Sequence, residues 1–378
     1  MFFLFFAYLI HGIDRVPFTY WDEGIYVPAA SVYLTSTKPY PVPDHPPLGK
    51  ELIALGIKLW GESPLGWRFF SVLSGALACT LISYFVFRLT ENLAVALYVA
   101  SLLFLEPLFV VHFRMALLDP PLTCFLLLST LFAYLFFRSE DLRWELLACS
   151  AASLGLALST KLLALAIVPG VFGLVVLRLW REPNPVPKLF AGILGMTLLP
   201  VVLFLLSYWI LGYTTTEVWD LVKFMFAWHS SARGPFLATS RWYEWLFIKN
   251  PIFYMNFGPQ GNTPVVIVTG NFVLWIGAQL GTLYCLIRLW RRPEIWMLIL
   301  SVLFQFLIYS EKPSTYLHYM TEILPFLYIL LGVAIADLFR RYGEKFSKIL
   351  LVDLGIFFVG ALVVFVKYWP SLWGKVGS

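Results

Sequence analysis

Residues 189–211 read LFAGILGMTLLPVVLFLLSYWIL, twenty-three positions without a charge. A helix of about 20 apolar residues rises far enough to cross a hydrocarbon core ~30 Å thick. Inside lipid no water satisfies the backbone, so only helices and closed barrels can span it. Barrel strands would alternate apolar and polar residues over ~10 positions. This run is apolar in every phase and reads as a helix. Comparable runs precede it near Met1–Ile10, Trp67–Phe87, Leu93–Val111, Pro121–Phe137, Leu146–Leu158 and Leu162–Leu177. Others follow near Val265–Ile287, Ile295–Ile308, Leu317–Ala336 and Ile349–Val366. The expected fold class is all-α and polytopic, with about 11 transmembrane helices. The composition agrees: 60% of residues are hydrophobic and 13% charged, where a soluble domain carries about 25% charged residues.

The short turns fix an orientation. Arg88; Arg138 and Arg143; Arg178, Arg181 and Lys188; Arg288, Arg291 and Arg292; and Arg340, Arg341, Lys345 and Lys348 lie in five brief connections. The positive-inside rule places these turns in the cytoplasm. Two long loops, residues 12–66 and 212–264, then lie outside, as does the tail 367–378. Long loops of membrane proteins commonly carry function. The whole chain, 1–378, is expected to form one membrane-embedded domain with no appended soluble domain. The first run is short and lacks a basic flank, so the natural start is expected upstream; no cleavage site precedes His11, which disfavours a signal peptide. The net charge of +5 follows this topology and does not point to nucleic acid. Cys79, Cys124, Cys149 and Cys285 all fall inside apolar runs and read as small hydrophobes, not a disulfide framework.

The candidate chemistry clusters on the outer side. Asp22 and Glu23 open a helix-forming stretch in the first loop. A helix N-terminus favours carboxylates and is expected to keep them ionised. Adjacent residues diverge by about 100° around a helix, so one is assigned to chemistry and the other to support. The bland alternative is a solvated helix cap. Next, in Asp44-His45-Pro46-Pro47-Leu48-Gly49-Lys50, the prolines pre-set a helix entry. Leu48, Leu52, Leu55 and Leu59 form one stripe with Lys50, Glu51 and Lys58 off it, the pattern of an interfacial amphipathic helix. Glu106, Arg114 and Asp119 lie at or near membrane depth, where charge is costly and usually faces a bundle interior. Arg114 and Asp119 either pair to close a hairpin, or Arg114 meets a lipid phosphate. Lys161, a lone cation between two apolar runs, either snorkels to the interface or provides a second phosphate contact. Arg241 in a Trp- and Tyr-rich segment, Asn271, and His318-Tyr319 complete the polar set. Gly-rich phosphate loops and dinucleotide fingerprints are missing from the sequence, and the five histidines have no metal-ligand spacing. Neither a metal nor a further cofactor is expected.

The order of these motifs resembles the protein O-mannosyltransferase family. An acidic pair in the first outer loop, then His45-Pro46-Pro47-Leu48-Gly49-Lys50, then Arg114 to Asp119 and Lys161 carry the likeness. Arg241–Trp245, Gly270-Asn271 and His318-Tyr319 with Pro325 extend it across most of the chain. Phe272 and Leu246 stand where that family commonly has proline. The resemblance implies the C-type membrane glycosyltransferase fold, with interfacial helices in the first loop. It implies a dolichyl- or polyprenyl-phosphate-mannose donor and a Ser or Thr hydroxyl acceptor. By position it makes Asp22, with Glu23, catalytic, and puts Arg114, Lys161, His45 and Lys50 near the donor phosphate. Asp119, Glu106, Arg241, Asn271, His318 and Tyr319 become substrate contacts or their supports. The shortness of the later loop, which lacks a family luminal domain, implies a prokaryotic member acting at the outer face of the plasma membrane. Expected partners are the bilayer, the lipid-linked sugar and a protein or glycan acceptor, with no nucleic acid. The alternatives are a sugar transferase with a lipid or glycan acceptor, and a lipid or sugar transporter. Charges gathered at one face, without an internal repeat, disfavour the transporter.

Overall fold

The computed structural model describes residues 1–36, 38, 43–231, 239–256, 263–310, 312 and 315–370. Within the expected loops, residues 37, 39–42, 232–238 and 257–262 lie outside the described set, as do residues 371–378 of the expected outer tail. The helices in chain order are α1 (Phe2–Ile10), α2 (Glu23–Thr35), α3 (Leu48–Trp60), α4 (Pro64–Thr90), α5 (Leu93–Leu103), α6 (Pro107–His112), α7 (Asp119–Arg138) and α8 (Trp144–Thr160). They continue as α9 (Val168–Trp180), α10 (Pro185–Trp209), α11 (Thr215–Ser231), α12 (Trp242–Trp245), α13 (Phe272–Arg288), α14 (Pro293–Ser310) and α15 (Leu324–Tyr368). A 3-10 turn, Leu162–Ile167, leads into α9, and another, Leu317–Thr321, precedes α15.

Each expected apolar run coincides with a helix or a pair of them. Among the described residues, six helical spans are long and apolar enough to cross a membrane: Pro64–Thr90, Asp119–Arg138, Leu162–Trp180, Pro185–Trp209, Pro293–Ser310 and Lys348–Tyr368. Leu93–Leu103, Trp144–Thr160 and Phe272–Arg288 are apolar but shorter. Local chemistry sets several starts. Ser63 accepts from the amide of Gly66, with Pro64 in the first turn, so α4 begins there. Asn92 and Asn271 accept in the same way from Val95 and Leu274. The last two runs form one continuous helix, α15, broken at Gly343, whose φ of 56° is left-handed backbone that glycine adopts without a Cβ penalty.

Two expectations change. The fold is not purely helical: β1 (Ile252–Asn256) and β2 (Thr263–Val268) form an antiparallel hairpin, pairing Ile252 with Val268 and Tyr254 with Val266. Residues 265–268, read as the start of a span, belong to β2, where Val265, Val266, Ile267 and Val268 favour a strand. Second, Lys50 does not sit on a watery face. The α3 leucines do share a side, with Leu55 and Leu59 exposed, but the opposite face packs on α2 and α4 and buries Gly49, Lys50, Ile53 and Ile57.

Five helices position the site. α4 packs on α7, α7 on α9, α9 on α14, α14 on α15, and α15 back on α4, closing a ring. Chain direction places Arg68 near the start of α4, Asp119 at the start of α7, Lys161 before α9, Lys312 after α14 and Glu322 before α15. All five charged groups thus gather at one end of the ring.

Candidate active site

The acidic pair splits as the helical geometry requires. Glu23 is fully buried and receives two bonds from Arg68, Nε to Oε1 at 2.7 Å and Nη2 to Oε2 at 2.8 Å. Arg68 also donates to the carbonyls of Ile13, Val16 and Phe18, and Glu23 accepts from the amide of Ala116 at 2.8 Å. This network ties the first loop to α4 and to the turn before α7. Neither the catalytic role expected for Glu23 nor the solvated cap survives: the carboxylate is spent on Arg68, and removing one partner of such a buried pair costs about 3–5 kcal/mol. Glu23 positions its neighbour.

Asp22 faces the other way and is half-buried. Trp21 before it has a φ of 52°, a left-handed conformation costly for a bulky residue and typical of functional sites. Trp21 stacks on Tyr254 of β1, ring centroids 4.5 Å apart and planes 15° from parallel. Burial pushes the Asp22 carboxyl up to about 7, aided by Asp119 and Asp44 and opposed by Lys161. The helix N-terminus alone would favour the ionised form; desolvation and the two like charges act against it.

Lys161 and Asp119 form the centre. Lys161 Nζ lies 2.8 Å from Asp119 Oδ1 and 3.7 Å from Glu322 Oε1, all three buried. Burial lowers the ammonium's proton affinity, but Asp119, Glu322 and Asp22 outweigh it and the net effect is upward. Lys161 therefore stays charged and does not snorkel. Asp119 pairs with Lys161, while Arg114 turns away: its Nη2 donates to the carbonyls of His11 and Gly12, both at 2.9 Å. Arg114 lies in a crevice with Arg15, Tyr20 and Arg68, so it does not converge with Lys161 as expected.

His45 and Lys50 close one flank. Lys50 Nζ donates to the His45 carbonyl at 3.1 Å and lies 3.8 Å from Asp44 Oδ1. Burial, with Lys161 next in weight, holds the His45 imidazole well below its ordinary range. It is a neutral hydrogen-bonding ring, 4.9 Å from the ring of His229, not a cation for a phosphate. On the other flank His318 stacks on Tyr316 at 5.4 Å and meets Tyr319 edge-on at 4.7 Å. Glu106 and Asn271 serve the frame instead. Glu106 accepts from the Leu108 amide, the Trp275 indole and the Tyr328 hydroxyl. Asn271 bridges the carbonyls of Leu105 and Ala361.

Sequence spacing missed three groups. His112 meets the Tyr254 hydroxyl at 2.7 Å and Thr321 Oγ1 at 3.2 Å. Thr321 already donates to the His318 carbonyl, so His112 Nδ1 carries the proton and Nε2 accepts from Tyr254. Tyr254 reaches the site only because the hairpin folds inward. Lys312, beyond α14, lies over the rings of Tyr309 and Tyr319 at 5.3 and 5.4 Å. Burial and then Lys161 lower its ammonium to about 8. A groove of about 680 Å³ runs from Lys312 past Tyr309 and Thr315 to Arg241, Trp242 and Tyr243. Of the charged groups above, Lys312 lines this groove together with Tyr309, Trp242 and Tyr243.

Residues 62–216 match the family model described as dolichyl-phosphate-mannose-protein mannosyltransferase. This stretch is similar to that family's domain, and the chain is a membrane glycosyltransferase. It is 23% identical over 433 aligned residues to the polyprenol-phosphate-mannose–protein mannosyltransferase of Mycolicibacterium smegmatis, covering 94% of this chain and 84% of that one. The enzyme of the same name from Mycobacterium tuberculosis is 34% identical over 110 residues, 28% of this chain and 21% of its own. Among solved structures, the Saccharomyces cerevisiae protein O-mannosyltransferase Pmt1–Pmt2 complex bound to the sugar donor superposes with a TM-score of 0.85 at 13% identity, over 100% of this chain and 90% of that one. ArnT from Cupriavidus metallidurans bound to undecaprenyl phosphate gives 0.68 at 17% identity, over 98% and 75%. These likenesses show the shared C-type glycosyltransferase fold.

Proposed function

We propose that this membrane glycosyltransferase moves mannose, or a similar hexose, from a polyprenyl-phosphate carrier to a Ser or Thr hydroxyl of a protein. In this reading about 11 spans set the active site at the outer face of a prokaryotic plasma membrane. One observation carries it: Asp22, its carboxyl pushed up to about 7, stands beside the Lys161–Asp119 pair at the mouth of the helix ring. A base with its ordinary value near the working pH balances readiness against proton affinity and contributes about 10²–10⁴-fold.

The reaction is a single displacement. The Asp22 carboxylate takes the acceptor hydroxyl's proton as that oxygen bonds to the anomeric carbon. The bond from that carbon to the phosphate oxygen breaks, and the electron pair leaves with the lipid phosphate. Lys161 is largely compensated by Asp119 and Glu322, so Lys312 adds positive field for the leaving group. The His45 ring offers it a neutral hydrogen bond. The groove from Tyr309 to Arg241 receives the acceptor chain, with Trp242 and Tyr243 as apolar faces.

The test is transfer by the purified protein from radiolabelled polyprenyl-phosphate mannose to a Ser/Thr peptide, with product configuration read by NMR. The expected product is inverted at the anomeric carbon, and Asp22→Asn loses about 10²-fold or more without a fall in melting temperature. Retained configuration excludes the single displacement, and an unimpaired Asp22→Asn variant removes Asp22 from the base role. Label found in lipid instead of peptide moves the acceptor out of the protein class.

A further inference from the structure

The ring that holds Asp119 and Lys161 at one end bears an open concavity at the other. It measures about 710 Å³ and is lined by Arg88, Arg138, Arg181, Arg291, Arg292 and Arg340. We propose that this cavity is a binding site for a soluble, multiply charged phosphate-bearing anion of the diphosphate class. The inference is independent of the transfer reaction proposed above.

The positive-inside rule accounts for arginines at these turns but not for their convergence. A topology signal alone is satisfied by side chains splayed into water. Here six arginines from the ends of α4, α7, α9 and the α13–α14 turn, with α15, line one concavity, although Arg88 also bonds the Tyr84 hydroxyl and Arg181 and Arg291 lie over Phe137 and Trp290. Only Glu91 and Glu294 oppose them among the lining residues, and Glu294 is engaged by Arg292 at 2.8 Å. The carbonyl ends of α4 and α7 add roughly half a negative charge each. The Tyr134 hydroxyl already donates to one of them, the Arg88 carbonyl, at 2.8 Å. Positive charge remains in clear excess. Planar guanidinium donors in forked pairs suit phosphate oxygens better than any other common anion. The volume falls in the range of about 300–1,000 Å³ usual for small-molecule sites.

The concavity lies at turns expected in the cytoplasm, so a soluble anion reaches it directly from water. Arg138, Arg181, Arg291 and Arg340 are exposed there.

The experiment uses the full chain in neutral detergent, titrated with pyrophosphate against sodium chloride of equal ionic strength, with melting temperature and calorimetry as readouts. Pyrophosphate is expected to raise the melting temperature above the salt control, with orthophosphate weaker and sulfate weakest. Replacing Arg138 and Arg340 together by Gln is expected to weaken pyrophosphate binding about tenfold or more, while Lys223→Gln, which removes an exposed charge on α11, leaves it unchanged. The ranking of anions on the unmodified protein stands even if the double variant fails to fold. Equal effects of pyrophosphate and chloride, or undiminished binding by a folded double variant, overturn the site. A parallel titration in nanodiscs compares phosphatidylglycerol with phosphatidylcholine. Pyrophosphate binding abolished by phosphatidylglycerol assigns the cavity to a lipid headgroup and overturns the soluble source.

Discussion

At the scale of single residues, Asp22 and Glu23 show how one peptide bond can separate two electrostatic fates. Glu23 meets Arg68 and is fully compensated. Asp22 meets Asp119 and Asp44 as well as Lys161, and its carboxyl rises to about 7. In the unfolded chain an aspartate titrates near 3.9. Below about pH 4 both states carry the proton, and Asp22 does not discriminate between them. From about 4 to about 7 the unfolded chain has lost the proton while the folded one keeps it, so Asp22 makes stability fall as pH rises, levelling above about 7. Activity runs the opposite way, because the base works only when ionised. The expected kcat/KM therefore rises with pH to a plateau with an apparent value near 7. Asp22→Asn should remove the corresponding slope in melting temperature and leave the protein at least as stable at pH 8. Rates from about pH 5.5 to 8.5 and parallel thermal melts check both halves. A melting slope that survives in Asp22→Asn would hand the titration to another group.

At the scale of elements, the site depends on α3 lying close against α4. A Cβ on Gly56 would stand 2.2 Å from the carbonyl oxygen of Gly66, which is backbone and cannot swing aside. Gly56→Ala is thus expected to lift α3 from α4 and with it Lys50 and the His45 carbonyl that Lys50 holds. Overpacking of this kind costs about 1–3 kcal/mol, so the melting temperature falls, and the KM for lipid-linked donor rises more than kcat falls. A variant with unchanged KM would detach α3 from the donor site. The elements that sequence made legible are those with one-dimensional signatures. Apolar runs such as Pro121–Phe137 and Ile295–Ile308 and the helix opened by His45–Lys50 stand where their patterns put them. The charge of Lys50 argues for water, whereas Asp44 and the His45 carbonyl receive it inside. The bonds from Arg114 to the His11 and Gly12 carbonyls, over 100 residues away, leave no local trace in the sequence. Tyr254, His112 and Lys312 escaped for the same reason: their meaning lies in who meets them, and each partner comes from another part of the chain.

At the scale of the whole molecule, one ring of helices carries two unlike mouths. α7 alone, 20 residues long, separates Asp119 from Arg138 by ~30 Å, about the thickness of a hydrocarbon core. The two ends therefore face opposite aqueous phases, and the arginine-rich end is expected in the cytoplasm. Everything proposed for the acceptor depends on that direction, because a secreted hydroxyl can reach Asp22 only from outside. Single cysteines decide it. Cys149 is exposed while Cys79, Cys124 and Cys285 are buried, so Cys149→Ser provides a quiet background. Lys223 on α11 and Arg143 in the turn between α7 and α8 are both surface residues on opposite sides of this scheme. In intact spheroplasts a membrane-impermeant maleimide should modify Lys223→Cys at once and Arg143→Cys only after permeabilisation. The reverse pattern would turn the molecule over, put Asp22 in the cytoplasm and remove secreted proteins from its reach.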